Sequence, residues 1–149
     1  MKYYFEDEQR RKELKKVLEE WVGTPFKHKC GVKGLGCDCI HFAAAVFGEL
    51  GLVKMREKDW PDYPRDWHLH NTRSLLIEGL ERHLKVERVG APTLCGDICV
   101  YNFAKTAAHV GIYCDGLIYQ AIDEMGVQKI SPKLTPFSKR LFCVYRILA

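Results

Sequence analysis

Apolar residues near the start of the chain recur at helical spacing. Leu14, Val17, Leu18, Trp21 and Val22 follow an i, i+3, i+4, i+7, i+8 stripe, which predicts an amphipathic helix over residues 6–22. Gly23-Thr24-Pro25 ends it. Residues 26–37 are rich in Gly and Lys and show no periodicity, so they read as a loop. From Cys39 to Leu50 the run Ile40, Phe42, Ala43, Ala44, Val46, Phe47 leaves little polar face. That pattern predicts a buried helix, capped at its start by Asp38 and stopped by Gly51.

The segment Lys54–Thr72 is punctuated by Pro61 and Pro64 and carries Trp60, Tyr63 and Trp67. It reads either as core cover or as the wall of a groove. A short helix follows from about Thr72 to His83, with Leu75, Leu76, Gly79, Leu80 and His83 on one stripe. Beyond it the period drops to two. Strands are expected near residues 84–89, 97–103, 109–114, 117–122, 127–131 and 141–148, separated by turn signals at Gly90-Ala91-Pro92, Asp115-Gly116 and Glu124-Met125-Gly126. Helices first and an antiparallel meander afterwards define an α+β class, with N-terminal helices packed on a sheet of about five to six strands. At 149 residues the expectation is one domain spanning the chain.

Composition narrows the function classes. The net charge of +4 is too mild, and its basic pairs Arg10-Arg11 and Lys15-Lys16 too helical in placement, to argue for nucleic-acid binding. No apolar run has the length of a membrane span or a signal peptide, so the chain is expected to be cytoplasmic as synthesised and not a membrane protein. Under that expectation its seven cysteines should be reduced thiols. Cys99, Cys114 and Cys143 lie in strand-like runs and read as core fillers.

Candidate chemistry centres on three residues. Cys39 follows a capping Asp at a helix start, where free N–H groups and the helix dipole lower a thiol pKa and make a nucleophile. The rival, Cys37, lies in the loop outside that field. His109 opens a strand whose Asp115-Gly116 turn sets the hairpin register. With a two-residue loop, Cys114 opposes Leu117 and Gly111 opposes Gln120, so His109 and Gln120 become diagonal neighbours on one face. A carboxamide oxygen there can fix the imidazole tautomer and leave the other ring nitrogen free as a base. Tyr119 and Asp123 point to the opposite face. A zinc site drawn from Cys30, Cys37, Cys39, Cys95 and Cys99 lacks paired Cys-x2-Cys knuckles. Asp97 reads as a turn cap. No cofactor or metal is expected.

Several of these pieces together resemble the NlpC-type cysteine peptidases, papain-like enzymes that cut amide bonds in cell-wall peptides. They are Gly23-Thr24-Pro25-Phe26, Gly36-Cys37-Asp38-Cys39, Gly96-Asp97-Ile98, His109-Val110-Gly111-Ile112-Tyr113 and Leu117-Ile118-Tyr119-Gln120-Ala121. The resemblance implies Cys39 as nucleophile, His109 as base and Gln120 as orienting residue, acting through a thioester on a peptidoglycan peptide. Two positions depart from the family pattern: Gln120 stands where a second His is commonest, and Phe26 where a Tyr is usual. The segment Lys54–Thr72 resembles the phage-associated subset, which implies phage tail components as partners and a virion or cell-wall location. A cell-wall or virion binding protein of the same fold, and an acyl transferase, stay open as alternatives.

Overall fold

The computed structural model describes residues 1–53, 74–103 and 106–149. The segment Lys54–Thr72, and the phage-subset resemblance it carries, lies outside the described residues. Three α-helices are present among those described: α1 (Glu8–Trp21), α2 (Cys39–Glu49) and α3 (Leu75–His83). Each begins on a side-chain cap, from Asp7, Asp38 and Ser74 respectively, which satisfies N–H groups that would otherwise be orphaned. None of these helices is long and apolar enough to cross a membrane.

Eight strands are described: β1 (Gly31–Val32), β2 (Gly36–Cys37), β3 (Val86–Val89), β4 (Ile98–Phe103), β5 (Thr106–Cys114), β6 (Leu117–Ile122), β7 (Gly126–Ile130) and β8 (Leu141–Ile147). The last six form one antiparallel sheet in the order β3-β8-β4-β5-β6-β7. This is the expected α+β architecture, helices with one six-stranded antiparallel sheet. The meander β4 to β7 follows the expected order, but β8 slots between β3 and β4, where no local pattern could place it. Strands β1 and β2 form a small ribbon inside the stretch read as loop. Two residues per strand are too few to leave a periodic signal.

Alternation along the strands sorts the core into two faces. Ile98, Val100, Val110, Ile112, Tyr119 and Ala121 meet Leu14, Leu18, Trp21, Phe42 and Phe47 of the helices in the main cluster. Cys99, Tyr101, Ile118 and Val144 form a second cluster with Phe137. The turn between β5 and β6 puts Asp115 at φ 49° and Gly116 at φ 80°, the two positive values that a two-residue I′ hairpin requires.

Asp97 is wholly buried and does more than cap a turn. Its Oδ2 accepts the N–H groups of Thr93 and Leu94, each at 2.9 Å. Arg146 of β8 grips both oxygens, at 2.8 and 2.7 Å. The bidentate pair pins the loop before β4 to the strand inserted beside it. Replacing Asp97 by Ala leaves a largely buried guanidinium unpaired, so we expect a stability loss of about 3–5 kcal/mol in urea denaturation.

Candidate active site

The site is built where β5 stops pairing with β6. Their ladder covers only Ile112–Tyr119 to Cys114–Leu117, matching the register expected from the turn. On the other side of β5 the pairing with β4 steps from Tyr101–His109 to Asn102–Ala107, which leaves Ala108 as an extra, bulged residue. A bulge re-aims the side chain beside it, and here that side chain is His109. Ser74, the cap of α3, donates its hydroxyl to the Ala107 carbonyl at 2.6 Å and braces this stretch.

The first turn of α2 meets β5 at the bulge. The Cys39 sulfur lies 3.8 Å from the Ala108 carbonyl and also interacts with the backbone N–H of Val110. It is therefore seated against the two peptide groups that flank His109. The helix is held there by Asp38, whose Oδ1 accepts both the His41 N–H and the His41 Nδ1, each at 2.8 Å. Its Oδ2 accepts the Lys29 N–H at 2.9 Å, tying the turn before β1 to the helix start. Burial alone would raise the Asp38 carboxyl, but these hydrogen bonds outweigh it and hold it below the ordinary value.

His109 and Gln120 share a face, as the register implies, and His109 Nε2 lies 2.7 Å from Gln120 Oε1. The carboxamide turns its nitrogen to Thr135, with Nε2 donating to the hydroxyl at 2.7 Å. Its oxygen is thereby left for the imidazole, so His109 Nε2 donates and Nδ1 is the lone-pair nitrogen. Gly111 makes the approach feasible, since a Cβ there would lie 2.6 Å from the Ile118 side chain and 3.4 Å from the Gln120 Cβ. The imidazole is boxed by rings: Phe103 stacks on it at 5.5 Å, and Phe137 and Tyr101 lie at 4.6 and 5.6 Å.

Sequence comparison is silent, with no protein-family model and no curated protein matching the chain. Solved structures do match. A Staphylococcus aureus protein described as similar to lipoprotein, NLP/P60 family, superposes with a TM-score of 0.62 at 15% identity, over 96% of this chain and 43% of its own length. For a Bacillus cereus NlpC/P60 family protein the values are 0.63, 17%, 93% and 40%. For the NlpC/p60 domain of the peptidoglycan hydrolase SagA they are 0.57, 17%, 90% and 96%. This chain has the NlpC/P60 fold. It spans about two-fifths of the length of the first two structures, and the likeness is one of fold.

Within this NlpC/P60 fold, the electrostatics correct one expectation. Cys39 is not an activated thiolate in this form. Burial of its sulfur, followed by the neighbouring Asp38 charge, pushes the thiol up to about 12, against the opposing pull of the Val110, Ile40 and Cys39 N–H groups. Magnitudes explain the outcome. A helix start contributes about 0.3–1 kcal/mol, whereas a rise from 9.0 to about 12 corresponds to roughly 4 kcal/mol. Burial likewise pushes His109 down to about 4. The pair rests as neutral thiol and neutral imidazole.

Other expected positions fall as follows. Cys37 is buried in β2, with its thiol also pushed up to about 12 by burial. Phe26 is half-buried and bridges to Cys37 through its backbone. Tyr119 reaches Glu19 of α1 at 2.7 Å, on the helix side of the sheet. Among the described residues Cys30, Cys37, Cys39 and Cys99 assemble into no metal-ligand cluster, whereas Cys95 converges with Cys114 and Asp115. Thr135, Phe103 and Phe137 escaped the sequence reading, and nothing in their local pattern marks them.

Two outcomes follow. In Thr135→Val the buried Gln120 amide loses its acceptor, and stability should fall by about 1–3 kcal/mol in chemical denaturation. For pH, the folded His109 value of about 4 lies below the unfolded 6.5. The unfolded chain therefore binds a proton first, and this contribution to stability is lost as pH falls from about 6.5 towards 4, by roughly 3 kcal/mol in all. A His109→Gln variant should lack that component when denaturation is repeated across the range.

Proposed function

We propose that this chain is a cysteine hydrolase that cleaves amide bonds in peptidoglycan peptides, with residues 1–149 acting as one catalytic domain. The observation that carries the reading is the seat of the Cys39 sulfur against the peptide groups flanking His109, with that histidine oriented by Gln120. The NlpC/P60 fold, one of whose solved examples comes from a peptidoglycan hydrolase, supports the substrate class.

Because both partners rest neutral, proton transfer accompanies attack. The imidazole Nδ1 takes the Cys39 proton as the sulfur adds to the substrate carbonyl, and Gln120 Oε1 stabilises the imidazolium through Nε2–H. The Cys39 backbone N–H stabilises the oxyanion. The departing amine takes the proton from Nδ1 and leaves a thioester. Water, deprotonated by His109, then releases the acid and restores the thiol. Gln120, being neutral, orients the ring without the charge that a carboxylate would add. Amines of a second peptide could replace water in the last step, which would make the chain an acyl transferase.

Digestion of purified peptidoglycan and defined muropeptides, with mass analysis of the fragments, tests this reading. New amide-cleavage products that disappear in Cys39→Ala, and fall by about 10- to 100-fold in Gln120→Ala, are the expected result. Binding without cleavage would make the chain a cell-wall binding protein instead. The acid limb of kcat/KM should fall near pH 4, the value to which burial pushes His109, rather than at the ordinary imidazole value.

A further inference from the structure

Cys95 and Cys114 lie outside the site just described, and the mechanism uses neither. Cys95 belongs to the loop before β4, and Cys114 ends β5. The Gly96 N–H donates to the Tyr113 carbonyl at 2.8 Å and holds the loop against the strand end. The two sulfurs stand 2.9 Å apart, with the Cys114 thiol donating to Cys95. The Asp115 backbone N–H approaches the Cys95 sulfur at 3.3 Å. Both residues are buried, Cys95 at 7% and Cys114 at 1% exposure, although Asp115 beside them is open to solvent.

A metal is one conceivable occupant, since the ligand atoms of Cys95, Cys114 and Asp115 lie within 4.8 Å of one another. Two features argue against it. Among the described residues no fourth protein ligand joins the cluster, whereas structural zinc takes four. The Asp115 charge is also already paired, its Oδ2 lying 2.7 Å from the Lys15 ammonium.

We propose that Cys95 and Cys114 are a redox-active dithiol, a modification site that hydrogen peroxide converts to an intramolecular disulfide. The Cys95 thiolate attacks one peroxide oxygen, breaking the O–O bond to give a sulfenic acid and hydroxide. The Cys114 sulfur then attacks the sulfenic sulfur, giving up its proton and expelling the hydroxyl as water. Two thiols are oxidised by two electrons, and one peroxide is reduced to two waters. The roles follow from the hydrogen bonds. The Cys114 thiol, and after it the Asp115 N–H, hold the Cys95 thiol below its usual value against burial and the Asp115 carboxylate, whose Oδ1 lies 3.3 Å from the sulfur, whereas donating to Cys95 raises Cys114. By contrast burial pushes Cys37, Cys39 and Cys99 up to about 12, which disfavours them as attackers. Peroxide is small enough to reach a thiol with so little exposed surface. The cross-link would tie the loop before β4 to the strand that carries His109.

The test uses the full chain with Cys39→Ser, so that the hydrolase reading plays no part in it. The folded protein is treated with equimolar hydrogen peroxide, quenched with catalase, alkylated under denaturing conditions and mapped by mass spectrometry. A Cys95–Cys114 linked peptide, two hydrogens lighter than the sum of its reduced parts and dominant over other pairings, is expected. A Tm raised by roughly 5–10 °C, reversed by dithiothreitol and absent from Cys95→Ser and Cys114→Ser, should accompany it. Should either of those variants fail to fold, the peptide map decides alone. Absence of the link, preference for another pair, or one equivalent of added zinc protecting both thiols from alkylation would overturn the proposal.

Discussion

The site depends on a strand pair that stops early. Because β5 leaves its ladder with β6 after Ile112 and bulges at Ala108, the backbone around His109 has groups left to satisfy. The start of α2 supplies the partner. The Cys39 sulfur meets the Ala108 carbonyl and the Val110 N–H, and the Asp38 carboxylate locks that first helical turn to the chain turn at Lys29. Had the β5–β6 ladder continued to Val110, that N–H would be spent on a sheet bond. The helix start would then have no reason to settle beside the histidine.

Enclosure both orders and quiets the pair. The rings of Tyr101, Phe103 and Phe137 fix the imidazole plane, and the chain Thr135–Gln120–His109 fixes its tautomer. The same burial penalises both charged forms, so the thiol rises and the imidazole falls. Burial thus favours a neutral thiol at Cys39 and a neutral imidazole at His109 over a thiolate and an imidazolium. Elsewhere hydrogen bonding dominates instead: at Cys95 a donated thiol and an amide outweigh burial. One fold thus holds cysteines of opposite character, distinguished by what each sulfur accepts.

Much of this was legible from residue order. The stripe Leu14, Leu18, Trp21 is the buried face of α1, and Asp38 caps α2 through the His41 N–H. Period-two alternation located all six strands of the main sheet. The Asp115-Gly116 turn was the most powerful local signal. A two-residue hairpin admits one register, so counting back from it places His109 and Gln120 on one face. Less legible was the sign of the Cys39 shift. A helix start is visible in sequence, whereas the protein packed around a sulfur is not.

What the sequence by itself determined, then, is whatever follows from neighbours along the chain: helix stripes and caps, strand alternation, one hairpin register, and a Cys after a capping Asp. Only the tertiary structure decided the insertion of β8 between β3 and β4, the aromatic box around His109 and the placement of Thr135 behind Gln120. The tertiary structure also brought Cys95 to Cys114 across 19 positions of sequence. Each of these joins segments distant in sequence. Hydrophobic burial, which drives such joining, is non-directional and leaves no periodic mark on either partner.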